Sequence, residues 1–306
     1  MDLNVRKILE KININGELKT AEPMSAHTTF KTGGTADIYF RPASAEDLLI
    51  VLEACRRYGI PFFILGGGAN ILVSDRGIEG CVIDMGALNS VSFKKTVCLA
   101  ESGSQISDAA EMAAEKNLSG LDFIYAMPGS TGGAVWMNAR CYGKSISDIL
   151  LRVQYIDEDL EIRYLERDDI LSSYGYKKSF FQGTGNIILS AEFLLEKGNS
   201  TDIRKIMRSH ELDRKKKGHF SFPSAGSVFK NNRDFGRPTG IILDSLGLKG
   251  KSVGDARVAD FHGNIIVNNG NASSKDIKDL IDLCYTEAKE KLGIELECEI
   301  QFVGRW

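Results

Sequence analysis

Apolar and polar positions fall along the chain in blocks whose spacing predicts alternating strands and helices. After a short amphipathic start, Ala36-Asp37-Ile38-Tyr39-Phe40 reads as a strand. Leu48, Leu49, Leu52 and Cys55 then recur at helical spacing behind Ser44-Ala45-Glu46-Asp47, which has the character of a capping box, and Gly59-Ile60-Pro61 stops the helix. Pro61 to Leu65 reads as a buried strand, so a β-α-β pattern is visible early. Ile71-Leu72-Val73 and Cys81-Val82-Ile83 are further apolar runs. A strand is expected around Val91 to Ala100, a helix over Ile106 to Asn117, two strands across the turn Asp157-Glu158-Asp159, and another strand over Asn186 to Leu195.

The pattern shifts near Lys197-Gly198-Asn199-Ser200, where a domain boundary is placed. Ser200 caps a helix running to about Lys217, with Gly218 as its stop. A short helix is expected near Gly240 to Leu246 and a strand over Asn264 to Asn268. A long helix from Ser273 buries Ile277, Leu280, Ile281, Cys284, Ala288 and Leu292, and Gly293 ends it. The closing segment alternates strictly. Ile294, Leu296, Cys298, Ile300 and Phe302 share one face, and Glu295, Glu297, Glu299 and Gln301 the other, which predicts a strand with a solvated acidic face.

Composition narrows the function classes. With 306 residues, 43% hydrophobic, the chain has room for two or three domains. Lys plus Arg number 38 against 41 Asp plus Glu, which points away from nucleic acid and towards a small-molecule partner. The six cysteines are scattered, with no Cys-x-x-Cys pair and no histidine at ligand spacing, so no metal site and no disulfide framework is expected. Reduced thiols, no signal segment and no run of apolar residues long enough to span a bilayer fit a cytoplasmic protein.

Two glycine loops carry the candidate chemistry. Leu65 runs into Gly66-Gly67-Gly68-Ala69-Asn70, and Leu121 to Ala126 precedes Met127-Pro128-Gly129-Ser130-Thr131-Gly132-Gly133-Ala134, which opens a helix-like segment. Glycine permits close backbone approach, and a helix N-terminus presents unpaired N–H groups that favour phosphate. The second loop alone is better read as a tight turn, but one tight turn does not need the three consecutive glycines of the first. A Rossmann fingerprint needs a third glycine opening a helix, where this chain has Ile71 and strand-like residues, so Asp84 is rejected as a ribose-binding acid. Two backbone cradles suit a dinucleotide pyrophosphate held in a non-Rossmann way.

Taken in order, the motifs resemble one family, the bacterial UDP-N-acetylenolpyruvoylglucosamine reductases. The resemblance is carried by Thr28 to Gly34, Leu65 to Asn70 with Asp75 and Gly77, Pro128 to Ala134 with Met137-Asn138-Ala139, and Pro223 to Asn231. Gly247-Leu248-Lys249-Gly250, His262-Gly263-Asn264 with Val267-Asn268, and Leu296-Glu297-Cys298-Glu299 complete it. It implies an α+β fold: an FAD-binding part of the vanillyl-alcohol-oxidase (PCMH) type made of two subdomains, 1–84 and 85–197, and a C-terminal α+β substrate domain, 198–306. The last strand, 294–303, would bring Glu299 to the flavin site.

The resemblance further implies that NADPH reduces FAD and that the reduced flavin converts the enolpyruvyl ether of the nucleotide sugar to the lactyl ether of UDP-N-acetylmuramate, in peptidoglycan synthesis. Thr32, Gly33, Gly66, Gly67, Gly68, Ala69, Asn70, Pro128, Gly129, Ser130, Gly132, Gly133 and Ala134 fall at cofactor-binding positions, and Lys217, Lys230 and Asn231 at substrate positions. Ser227 matches the family's proton donor and Glu299 its catalytic glutamate. Lys177, in Tyr174-Gly175-Tyr176-Lys177-Lys178, stands where the family carries a catalytic arginine, keeping the charge without the bidentate fork. Gly218-His219 stands where Gln-Pro is common. These departures keep two alternatives open: another FAD oxidoreductase on the same scaffold, or a catalytically impaired FAD- or nucleotide-sugar-binding homologue. The expected partners are the nucleotide sugar and NADPH, with no nucleic acid or membrane, in a monomer or weak oligomer.

Overall fold

The computed structural model describes residues 14–306; the amphipathic start lies outside the described residues. The chain forms two compact units. The first comprises the described residues up to Thr20 with Ile38–Gly67 and Gly80–Leu212; the second comprises Ala21–Asp37, Gly68–Glu79 and Asp213–Trp306.

A four-stranded sheet, most of whose residues belong to the first unit, runs in the order Gly16–Pro23, Thr35–Pro42, Ile78–Asp84, Phe62–Leu65, and its last two strands are parallel, with Phe62 opposite Cys81. The helix Ala45–Tyr58 forms as its sequence dictates. The Ser44 hydroxyl accepts the Asp47 N–H at 3.1 Å, and Gly59 ends the helix at φ 63°, where glycine carries no Cβ penalty. Leu48, Val51, Leu52 and Cys55 are buried with Phe40, Cys81 and Ile83. A second, antiparallel sheet has the order Ile162–Glu166, Leu150–Ile156, Ile187–Leu194, Val97–Glu101, Val91–Lys94. The single strand expected over Val91 to Ala100 is thus a hairpin, turned at Lys95 with φ 55°. Ala109, Ala110, Ala113 and Ala114 of the helix Ile106–Glu115 pack with Cys98, Ala100, Leu121 and Phe123.

The second unit is built on the helix Ser274–Leu292, whose Ile277, Leu280, Ile281, Cys284 and Ala288 are buried with Val258 and Ile266 of the small antiparallel sheet Ser252–Val253, Ala256–Val258, Ile266–Asn268. Its N-terminus is capped twice. Ser273 and Asp276 form a capping box, and the Asp75 carboxylate accepts the N–H groups of Ser274 and Lys275, each at 2.9 Å. Two of the four orphan donors of a helix end are thereby met by one side chain 199 residues earlier in sequence. Asp75→Ala is expected to cost about 1 kcal/mol, in the range of a lost N-cap, seen as a lower urea midpoint at unchanged slope.

The strand expected over 294–303 shortens to Gln301–Val303, which pairs in parallel with Ile71–Val73. Residues 294–300 leave the sheet because their backbone groups are used otherwise: Lys230 N–H donates to Glu297 O at 2.8 Å and Glu299 N–H to Val228 O at 2.7 Å. Leu296 and Ile300 are buried as the alternation requires, while Phe302 is exposed and Val303 takes the inward position.

Candidate active site

In the first unit the two glycine loops meet. A Cβ built on Gly67 would lie 2.6 Å from Gly129 Cα and 2.9 Å from Ser130 N, and one on Gly66 would lie 2.5 Å from Ser130 Oγ. These glycines are needed because one loop lies against the backbone of the other. Gly129 itself has φ 123°, open to glycine and not to an L side chain. Ser130 caps the helix Thr131–Trp136, its Oγ accepting Gly133 N–H at 3.2 Å. The helix N-terminus is not a set of unpaired donors as the sequence suggests. Thr131 N–H donates to Ser104 O and Gly132 N–H to Ser102 O, both at 2.8 Å. The strand-end segment 102–104 satisfies the N–H groups expected to be open to phosphate. Its only sequence signal is Ser102-Gly103-Ser104 after an apolar strand.

Ser102 Oγ, on the residue against whose Cβ Gly132 packs, is buried with no partner among the described residues, and within the second unit the same holds for Thr32 Oγ1. An unpaired buried hydroxyl is costly unless a ligand completes it. Hydroxyl donors beside glycine backbone suit the oxygens of a dinucleotide, so the residues present fit FAD. Asp84 accepts the Tyr39 hydroxyl and, at 2.7 Å, Gly86 N–H. With its hydroxyl donated to Asp84 and buried, Tyr39 has its pKa raised, burial being the larger cause.

Lys177 sits at φ 54° in a turn closed by paired backbone bonds between Gly175 and Lys178. The turn is tied to the end of the Ser130 helix: Asn138 Nδ2 donates to Gly175 O at 2.7 Å, while Ser179 Oγ and Gln182 Nε2 both donate to Trp136 O. Gln182 Nε2 also donates to Lys177 O at 3.1 Å.

In the second unit Ser227 and Glu299 come together. Residues 227–230 form a short extended segment held on both edges. On one side Ser227 faces Ile265 and Val228 N–H donates to Asn264 O at 2.9 Å; on the other Phe229 faces Cys298 and Val228 O accepts Glu299 N–H. Gly226, at φ 75°, turns the chain into this segment. Glu299 is half-buried, set apart from the exposed Glu295 and Glu297 that the alternation placed beside it. Asn70, expected at the cofactor, supports this pair: its Nδ2 donates to Glu299 O at 3.0 Å and its carbonyl accepts Gln301 N–H. Gly68, at φ 60°, accepts Thr29 N–H, and a Cβ there would strike His27 O. Gly33 is equally tight, its Cβ position 2.8 Å from Val73 Cβ.

The three expected substrate residues have partners within the second unit. Lys217 pairs with Asp213 at 2.7 Å, Lys230 with Glu297 at 2.6 Å, and Asn231 Oδ1 accepts Thr239 N–H at 2.8 Å, capping the helix Thr239–Ser245.

Comparison with known proteins gives a consistent result. A family model described as FAD binding domain matches residues 36–165, and one described as UDP-N-acetylenolpyruvoylglucosamine reductase, C-terminal domain, matches residues 218–303. The UDP-N-acetylenolpyruvoylglucosamine reductase of Caldanaerobacter subterraneus is 40% identical over 296 residues, covering 97% of both chains. That of Borreliella burgdorferi is 38% identical, covering 99% of both. Among solved structures, the UDP-N-acetylenolpyruvylglucosamine reductase of Thermus caldophilus matches with a TM-score of 0.79 at 30% identity, over 95% of this chain and 99% of that one.

Proposed function

The chain belongs to the UDP-N-acetylenolpyruvoylglucosamine reductase family, and from that premise we propose that it reduces the enolpyruvyl group of UDP-N-acetylenolpyruvoylglucosamine to the lactyl ether of UDP-N-acetylmuramate, with NADPH as reductant. It is an FAD-dependent oxidoreductase of the α+β, vanillyl-alcohol-oxidase type. FAD, when bound, supplies the two-electron chemistry that joins NADPH oxidation to reduction of the carbon–carbon double bond. The observation that carries the reading is the pinning of the Ser227 segment directly against Glu299.

Thr32, Gly33, Gly66 to Asn70, Pro128 to Ser130 and Gly132 to Ala134 are assigned to the flavin, and Ser102 joins them for its unpartnered hydroxyl. The segments 1–84 and 85–197 serve the cofactor and 198–306 the substrate. Reduction at the terminal carbon leaves negative charge on the carbon beside the carboxylate, and that carbon then needs a proton. Ser227 Oγ gives it, and Glu299 orders the proton path. Lys177 holds the substrate carboxylate, and Lys217, Lys230 and Asn231 contact the nucleotide sugar once their present partners are exchanged for it. Among the described residues no helix is long and apolar enough to cross a membrane, and we place the reaction in the cytoplasm.

The test is the visible spectrum of the purified protein under anaerobic conditions. Bleaching of the flavin by NADPH followed by recovery on adding UDP-N-acetylenolpyruvoylglucosamine is the expected result; bleaching without recovery removes the assigned substrate. Lys177→Arg is expected to match or exceed the parent rate, because a planar bidentate donor suits a carboxylate better than an ammonium. Complete inactivation would show that this turn does not hold the carboxylate.

A further inference from the structure

Asn264 is the hub of the Ser227 segment. It is 2% exposed, its Oδ1 accepts Phe229 N–H at 2.9 Å, its Nδ2 donates to Phe229 O at 2.8 Å, and its carbonyl accepts Val228 N–H. Its own backbone N–H donates to Nδ1 of His262 at 3.1 Å, a side-chain turn closed over two residues. The His262 ring is seated against Gly240, where a Cβ would fall 2.8 Å from its Cε1, and His262 O accepts the N–H of Ile265, the residue that faces Ser227.

We propose that His262 is a positioning residue: its unprotonated Nδ1, by holding Asn264 N–H, fixes the segment that presents Ser227, and protonation of the imidazole releases it. The inference rests on the reading of Ser227 as proton donor. An imidazolium carries hydrogen on both nitrogens and has no acceptor for Asn264, so the contact exists only in the neutral ring.

The surroundings favour that neutral form. Burial, then the cations Lys249 and Lys217, hold His262 below its usual value of 6.5. Lys249 comes from the loop after the helix Thr239–Ser245 and is paired at 2.6 Å with Asp244 on it; Lys217, paired with Asp213, comes from the end of the helix Ser200–Lys216. His219, whose ring centre is 6.3 Å away, is pushed down to about 4 by burial and then by Arg214, His262 and Lys217. The sign follows. His262 is neutral and the contact intact at neutral pH; the contact is lost as pH falls through a value below 6.5, while His219 titrates in more acidic solution.

The experiment follows backbone amide shifts and flavin reoxidation in the FAD-loaded protein against pH. In the parent, the Asn264 and Val228 amides should move in a one-proton step below pH 6.5, with the midpoint of the acid limb of reoxidation. His262→Asn, whose Oδ1 reaches the same N–H, should lose both the step and that limb and keep neutral-pH reoxidation within about threefold. His262→Leu, which strands a buried N–H, should slow reoxidation about tenfold at neutral pH with reduction by NADPH spared. An Asn264 amide that stays fixed while His262 titrates, or an acid limb that survives in His262→Asn, overturns the inference. The amide step needs no substrate, so a protein that the enolpyruvyl compound never reoxidises would sink the assigned reaction while the amides still decide the role of His262.

Discussion

Ser227→Ala is expected to leave flavin reduction by NADPH at the parent rate and to slow reoxidation by the enolpyruvyl substrate about 10²–10⁴-fold, the usual contribution of a positioned acid. The backbone makes this a clean test. Residues 227–230 are fixed through main-chain bonds to Asn264, Glu297 and Glu299, none of which uses the Ser227 hydroxyl, and Gly226 already supplies the turn. Alanine therefore fits the same segment and removes only the oxygen. Rapid anaerobic mixing separates the half-reactions. Equal slowing of both would mean that the substitution disturbs the flavin rather than the proton delivery.

How much of this site was legible in the sequence depends on how local each signal is. Helix caps and apolar periodicity act over a few residues, and they located the helices Ala45–Tyr58, Ile106–Glu115 and Ser274–Leu292 closely. The closing segment misled because alternation records burial but not pairing: Leu296 and Ile300 do face inward, yet their neighbours bond to residues 228–230 and not to a sheet. Glu299 could not be told from Glu295 and Glu297 by pattern, since what distinguishes it is its bond to Val228, a residue 71 positions earlier in the numbering. Asp75 and Asn70, part of the motif that carried the resemblance, prove to hold a helix terminus and the Glu299 carbonyl. Ser102 and Ser104 left almost no trace, because a serine that answers a distant helix end looks like any turn serine.

The glycine loops show the same separation between a visible signal and its cause, and they support the second large effect. Gly67→Ala should yield a folded protein that retains little FAD and binds it roughly tenfold to a hundredfold more weakly, as overpacking of about 1–3 kcal/mol at the loop contact requires. The added methyl would stand 2.6 Å from Gly129 Cα and 2.9 Å from Ser130 N, and backbone cannot swing aside as a side chain can. The loops must part, which displaces Ser130 from its cap on Gly133 and carries the hydroxyl and amides assigned to the cofactor with it. Gly66→Ala provides the internal comparison. Its methyl meets Ser130 Oγ at 2.5 Å, an atom that can rotate away at the cost of one capping bond, so its loss of FAD affinity should be smaller. Titrating apoprotein with FAD by flavin fluorescence ranks the two. Should Gly66→Ala prove the more damaging, the capping hydroxyl of Ser130 rather than the loop-to-loop contact would be what the cofactor depends on.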